Sequence, residues 1–200
     1  PAGHAAGKWM NAPELPLWNH FDPCSSDRIL ARVPLADSSL IDKAVAGAQV
    51  AGRAWSAAPA AERASLLEAW AQVVEHNREA WAGMVARQLG KPITDAREEM
   101  DRAIAHVRVA AQLVDSLEES HGEGLLTRHC ARGVVAVITP WNNPVALPLA
   151  KIASALVFGN SVVWKPALPA PEVARAIVAS VAAAGIPPAL LSTVFGDAGT

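Results

Sequence analysis

Two hundred residues with 52% hydrophobic side chains are enough for one sizeable core or two small ones. The 17 basic and 19 acidic side chains nearly balance, and no basic block occurs, which argues against a nucleic-acid partner. Cys24 and Cys130 lie far apart without CxxC spacing, which argues against a disulfide scaffold or zinc site and fits a reducing, cytoplasmic setting.

The first twenty residues show no basic-then-apolar leader pattern and, with Trp9 and Trp18, read as an arm packed onto a larger body. Asp22-Pro23 opens a turn, and Arg28 to Pro34 reads as a short strand. Ser39 with Asp42 three residues later forms a capping-box pattern, predicting a helix from there to about Trp55. Pro59 opens a second helix with Leu66, Leu67, Trp70, Val73 and Val74 on one face. A break at His76-Asn77 leads to a third, striped by Trp81, Met84, Val85 and Leu89 and ended by Gly90-Lys91-Pro92. Lys91 reads there as a surface lysine. Thr94 is expected to cap a long fourth helix reaching about Glu119, striped by Met100, Ile104, Val107, Ala111, Val114 and Leu117. Glu98 and Arg102 form an i,i+4 pair on it, worth about 0.2–0.5 kcal/mol.

The pattern changes after Gly124. Gly133 to Thr139 is a β-branched run typical of a buried parallel strand. Pro144 to Phe158 is helical, Ser161 to Lys165 a strand, Pro171 to Ala184 an Ala-rich helix and Leu191 to Phe195 a third strand. The most apolar stretch, 144–163, is cut by Lys151, Gly159 and Asn160, so it reads as core and not as a membrane span. The fold class is α/β: an arm, short strand and helices over 1–124, then a βαβαβ Rossmann-like half-sheet over 125–200. Three parallel strands leave two open edges, and Gly196 onward reads as a turn into a helix that does not follow. The expectation is the N-terminal part of a longer polypeptide.

The elbow Thr139 to Pro144 lacks the Gly-x-Gly-x-x-Gly of an ordinary dinucleotide turn, and Trp141 would block close backbone approach to a pyrophosphate. The second strand ends in Lys165 where Asp or Glu is usual; a lysine there can hydrogen-bond ribose hydroxyls and attract a 2′-phosphate. Asn142 has two readings, a cap for the following helix or a neutral donor facing a ligand. Ile138 reads by itself as core, Gly196 as a turn glycine, and neither the scattered histidines nor the two cysteines show metal or nucleophile spacing.

Pro140-Trp141-Asn142-Asn143-Pro144, Gly159 to Pro166 and Val194-Phe195-Gly196 together resemble the N-terminal half of the NAD(P)-dependent aldehyde dehydrogenase superfamily. Gly7-Lys8-Trp9, Asp22-Pro23 and Gly90-Lys91-Pro92 follow in that family's order. The resemblance implies a cysteine thiolate attacking an aldehyde, hydride transfer to NAD or NADP, and hydrolysis of the thioester by a glutamate-activated water. It assigns Asn142 to the oxyanion hole, Ile138 and Trp141 to the cofactor groove, Lys165 to the adenosine ribose and Gly196 to close cofactor passage. Leu168 stands where the family often has an acid, leaving NAD and NADP open, and Asn143 replaces a common aromatic near the substrate tunnel. The nucleophile and base are expected beyond Thr200, so the chain alone should be inactive, and the complete protein should be a homo-oligomer. A non-catalytic cofactor-binding relative and a CoA-acylating relative are the alternatives.

Overall fold

The structure, a computed structural model, describes residues 3–10, 13–116, 118–120, 124 and 126–197. In chain order the elements are strands β1 (Gly3–Ala5), β2 (Lys8–Met10), β3 (Leu17–Asp22) and β4 (Ser25–Pro34), then helices α1 (Ser38–Ala57), α2 (Ala60–His76), α3 (Arg78–Leu89) and α4 (Ile93–Gln112). There follow β5 (Glu118–Ser120), β6 (Leu126–Arg128), β7 (Val134–Ile138), α5 (Ala146–Val157), β8 (Ser161–Lys165), α6 (Pro171–Ala183) and β9 (Leu191–Val194). The α/β class and the parallel β7-β8-β9 unit agree with the sequence reading.

The sheet has five strands, in the order β2-β1-β9-β8-β7. The arm is therefore more than packing: β1 pairs antiparallel with β9 through Gly3↔Val194 and His4↔Thr193, and β2 pairs with β1. That closes one of the two edges expected to be open. Gly3 is required at the contact, since a Cβ there would lie 2.6 Å from the Thr193 carbonyl oxygen. The short strand read at 28–34 is the second half of a hairpin in which β3 pairs with a longer β4.

The helix starts need correction at two places. Asp37, not Ser39, caps α1, its carboxylate accepting from the Leu40 N–H at 2.8 Å. Thr94 caps nothing; α4 begins at Ile93 behind Pro92, whose fixed φ leads into the helix. That helix also ends early, at Gln112, followed by a 3-10 turn at Leu113–Ser116 and then β5, which pairs with β6. Glu118 and Glu119 pair their backbone with Arg128 and Thr127 of β6 instead of continuing the helix. Leu117 and residues 198–200 of the turn expected from Gly196 onward lie outside the described residues.

Two apolar layers sandwich the sheet. Val163 and Val194 meet Leu40, Ala44 and Ala48 of α1 on one face. Val137, Val162, Trp164 and Leu191 on the other join α5, α6 and the inner faces of α2, α3 and α4 in one larger core. Partners in a parallel register point to the same face, so Ile138 and Lys165, paired at the ends of β7 and β8, share the α1 face.

His4 fixes the arm. Its Nδ1–H donates to the Leu191 carbonyl at 2.9 Å, and its ring meets Trp9 edge-on. Burial pushes its pKa below the usual 6.5, outweighing the hydrogen bonds to Leu191 and Gly7; burial likewise lowers His20 against the opposing backbone of Gln88 and the charges of Glu172 and Asp22. Both rings are thus favoured neutral in the fold, and the unfolded chain binds more protons. Their contribution to stability is full above the unfolded value near 6.5 and is lost as pH falls from there through the lowered folded values. Thermal melts should therefore show Tm dropping as pH is lowered from about 7 to 5, and His4→Gln should flatten part of that drop. An unchanged pH slope in His4→Gln would count against the account.

Candidate active site

β7 and β8 end side by side, and the Thr139 N–H continues the ladder to the Lys165 carbonyl at 3.3 Å. The Thr139 hydroxyl accepts from the buried Trp164 indole N–H at 2.9 Å, which pins the start of the elbow to the neighbouring strand. Past this point the chain leaves the sheet. Ile138 is 70% exposed and Trp141 59%, two large apolar side chains open at the strand ends. Lys165 is half-buried beside Ile138, and Asn142 is exposed on the elbow. Gly196 lies buried, two residues beyond β9. The structure thus brings Ile138 and Lys165 together in register, with Trp141 and Asn142 on the elbow that follows Ile138.

A residue absent from the sequence reading organises the elbow. Glu99 of α4 is wholly buried, and its Oε1 accepts from the Val145 and Ala146 N–H groups at 2.8 and 3.2 Å. These are buried donors at the start of α5 that have no acceptor within the helix. Pro144 and Pro148 have no N–H to satisfy, and the Leu147 N–H goes to the Asn143 carbonyl at 3.3 Å. The N-terminus of α5 is therefore closed by a carboxylate from another helix, and α5 has no side-chain cap of its own.

The other Glu99 oxygen meets Lys91 Nζ at 2.6 Å. Lys91 is no surface lysine: its side chain is only 16% exposed, and Nζ also donates to the Asn142 carbonyl and to Asn143 Oδ1, each at 3.1 Å. Gly90, left-handed at φ 68°, and Pro92 fix the backbone on either side of it. The signal for Glu99 was present in the sequence: it shares the apolar stripe of α4 with Ala96, Met100 and Ala103, and a charge on such a stripe needs a partner. Lys91 carried no such signal, because its partners come from residues 8 to 52 positions away.

The Asn142 side-chain amide has no hydrogen-bond partner among the described residues, while its backbone carbonyl is held. Cys24 and Cys130 are free and exposed, neither on the elbow. A cavity of about 790 Å³ lined by Ser56, Arg63, His129, Cys130 and Phe158 contains none of the elbow residues. Ligands of open α/β sheets generally bind beyond the carboxyl ends of the parallel strands, where the elbow lies. Among the described residues no helix is long and apolar enough to cross a membrane, and no group of three or more His, Cys, Asp or Glu side chains is placed to hold a metal.

A mostly parallel open sheet with helices on both faces is the architecture of dinucleotide-binding α/β proteins. Within that class the chain belongs to the aldehyde dehydrogenase family, whose sequence model it matches over residues 9–200. It is 36% identical to 3,6-anhydro-alpha-L-galactose dehydrogenase from Streptomyces coelicolor, over 98% of this chain and 41% of that protein. The NADP-dependent glyceraldehyde-3-phosphate dehydrogenase of Bacillus halodurans, solved with NADP, superposes with a TM-score of 0.91 at 30% identity, covering 100% of this chain and 44% of that one. A mutant aldehyde dehydrogenase C from Pseudomonas syringae, solved with NAD+ and octanal, gives 0.91 at 29% identity over 98% of this chain and 41% of that one. The chain spans about two-fifths of the length of these relatives.

Removing one partner of a buried ion pair leaves an uncompensated charge. Lys91→Ala should therefore lower unfolding free energy by about 3–5 kcal/mol, read from urea melts. Arg102→Ala, breaking the exposed 3.8 Å pair with Glu98, should cost under about 0.5 kcal/mol. Similar losses in the two variants would show that Lys91 is not the anchor described.

Proposed function

We propose that this chain forms the cofactor-binding and oxyanion-stabilising part of an NAD(P)-dependent aldehyde dehydrogenase that oxidises an aldehyde to a carboxylic acid. The observation that carries the reading is the open strand-end edge. Ile138 and Lys165 stand in register on one face, and the elbow beside them presents an uncharged amide committed to no other group.

The residues fit a dinucleotide. Lys165 donates to ribose hydroxyls, the exposed Ile138 and Trp141 offer apolar walls, and Gly196 keeps side-chain bulk out of the path beyond β9. When bound, the nicotinamide group supplies a hydride acceptor. Asn142 donates to the oxygen on which negative charge develops as a thiolate adds to the aldehyde. A neutral amide suits this work, since it polarises the oxygen without exchanging a proton with it. The thiolate and the general base are assigned to the part of the relatives' length that this chain does not span.

Leu168 packs against the core and puts no carboxylate beside Lys165. Nothing at that position would repel a 2′-phosphate, so both NADP and NAD are accepted. An aldehyde as substrate, a homo-oligomeric assembly and a cytoplasmic location belong to the same proposal.

The test uses a polypeptide that joins this chain to the segment its relatives carry beyond it. Asn142→Ala should lower kcat by about 10²–10³ with cofactor affinity nearly unchanged. Lys165→Ala should weaken NAD and NADP binding about 10-fold or more in calorimetry, in line with loss of a charged hydrogen-bond donor. Unchanged affinity in Lys165→Ala removes the ribose role, and an unchanged kcat in Asn142→Ala removes the oxyanion role.

A further inference from the structure

We infer that Lys91 and Glu99 are positioning residues for the oxyanion donor, locking the Asn142 peptide while leaving its side chain unspent. The inference rests on the reading of Asn142 as that donor.

The three donors of the Lys91 ammonium have three acceptors: Glu99 Oε2 at 2.6 Å, the Asn142 carbonyl at 3.1 Å and Asn143 Oδ1 at 3.1 Å. Two of the three belong to the elbow. Closing the N-terminus of α5 needs only an acceptor, which Glu99 Oε1 provides. A neutral Gln would serve for that, with no charge to bury. What the charge adds is a hold on Lys91, and Lys91 spends its remaining donors at Asn142 and Asn143.

The mounting is rigid at both ends. Lys91 sits between a left-handed Gly90 and Pro92, and Glu99 sits two turns into α4 among wholly buried neighbours. The bond to the Asn142 carbonyl fixes the peptide plane that follows Asn142, and with it the position of the Asn142 Cα from which the side chain departs. Side-chain donors at a reacting oxygen must be placed within a fraction of an ångström, and a misplacement of about 1 Å can cost about 10²-fold in rate. The pair connects the α3–α4 turn, α4 and the elbow into one support for that placement.

The test is a kinetic double-mutant cycle in the same joined polypeptide. Glu99→Gln keeps an oxygen for the Val145 and Ala146 N–H groups but gives up the charge that holds Lys91. It should lower kcat about tenfold with the cofactor KM within about twofold, and the same substitution in an Asn142→Ala background should change kcat by less than about twofold. Amide exchange at Val145 and Ala146 should stay at the wild-type rate. An undiminished kcat in Glu99→Gln overturns the inference, as do equal losses in the two backgrounds or faster exchange at those amides, which would make Glu99 an anchor of α5 alone. Lys91→Met, run through the same cycle with the same outcomes, carries the test if Glu99→Gln does not fold. An Asn142→Ala enzyme with wild-type kcat is a separate failure, that of the oxyanion reading on which the inference rests.

Discussion

An apolar helix buried along its length cannot leave its end groups bare, and α5 is such a helix. Eight of its twelve residues are buried, and an unsatisfied backbone group in that setting costs about 1–3 kcal/mol. Both ends are closed by side chains from elsewhere. At the start, Glu99 of α4 takes two N–H groups. At the far end, the Trp55 indole donates to the Leu156 carbonyl and Arg63 Nε to the Val157 carbonyl, at 2.8 and 2.9 Å. Asn160 also donates to the Ala155 carbonyl, while its Oδ1 accepts from the Arg132 and Gly133 N–H groups. Helices α1, α2 and α4 thus each bring a side-chain donor or acceptor to the termini of α5.

That convergence determines what the strand ends can offer. At the start of the two strands, the α5–β8 turn is tied to the residues before β7 by Asn160, behind a left-handed Gly159 where a Cβ would lie 3.2 Å from the Ser56 Cα. The β7–α5 elbow is tied down by Lys91 and by the Trp164–Thr139 hydrogen bond. With both ends of the β7–β8 pair fixed, Ile138 and Lys165 emerge in register on an edge with little freedom to rearrange. Charge and neutrality divide along the same line. The ion pair that supports the elbow is buried, at 16% and 0% side-chain exposure, whereas the polar group presented outward from the elbow is an amide.

Much of this was legible in the sequence, for a physical reason. The parallel strands, the helix stripes and the Gly90 stop are local patterns: β-branched runs, period-3.6 apolar spacing, a glycine in the left-handed region. What escaped was non-local. The arm's pairing with β9 joins residues near 4 and 193, and nothing in either segment announces the other. Lys91 looked solvated because its partners, at 99, 142 and 143, reach it only after α4 and α5 have packed. The early end of α4 escaped because its stripe continues to Val114 while the backbone turns aside to pair β5 with β6.

The donors at the start of α5 bear on the two readings of Asn142. Asparagine ahead of an apolar helix is an ordinary cap, accepting from the second or third N–H of the helix. Here those donors are already taken or missing. Val145 and Ala146 give theirs to Glu99, Leu147 gives its own to the Asn143 carbonyl, and Pro148 has none. A side-chain oxygen at Asn142 would find no helix donor left to accept from. The Asn142 amide is thereby released from helix capping by a carboxylate 43 residues earlier in the chain. Burying that carboxylate is a cost that a simple capping asparagine would have avoided. The arrangement makes physical sense if the amide on the elbow has another oxygen to serve, which is the reading that the open strand-end edge supports.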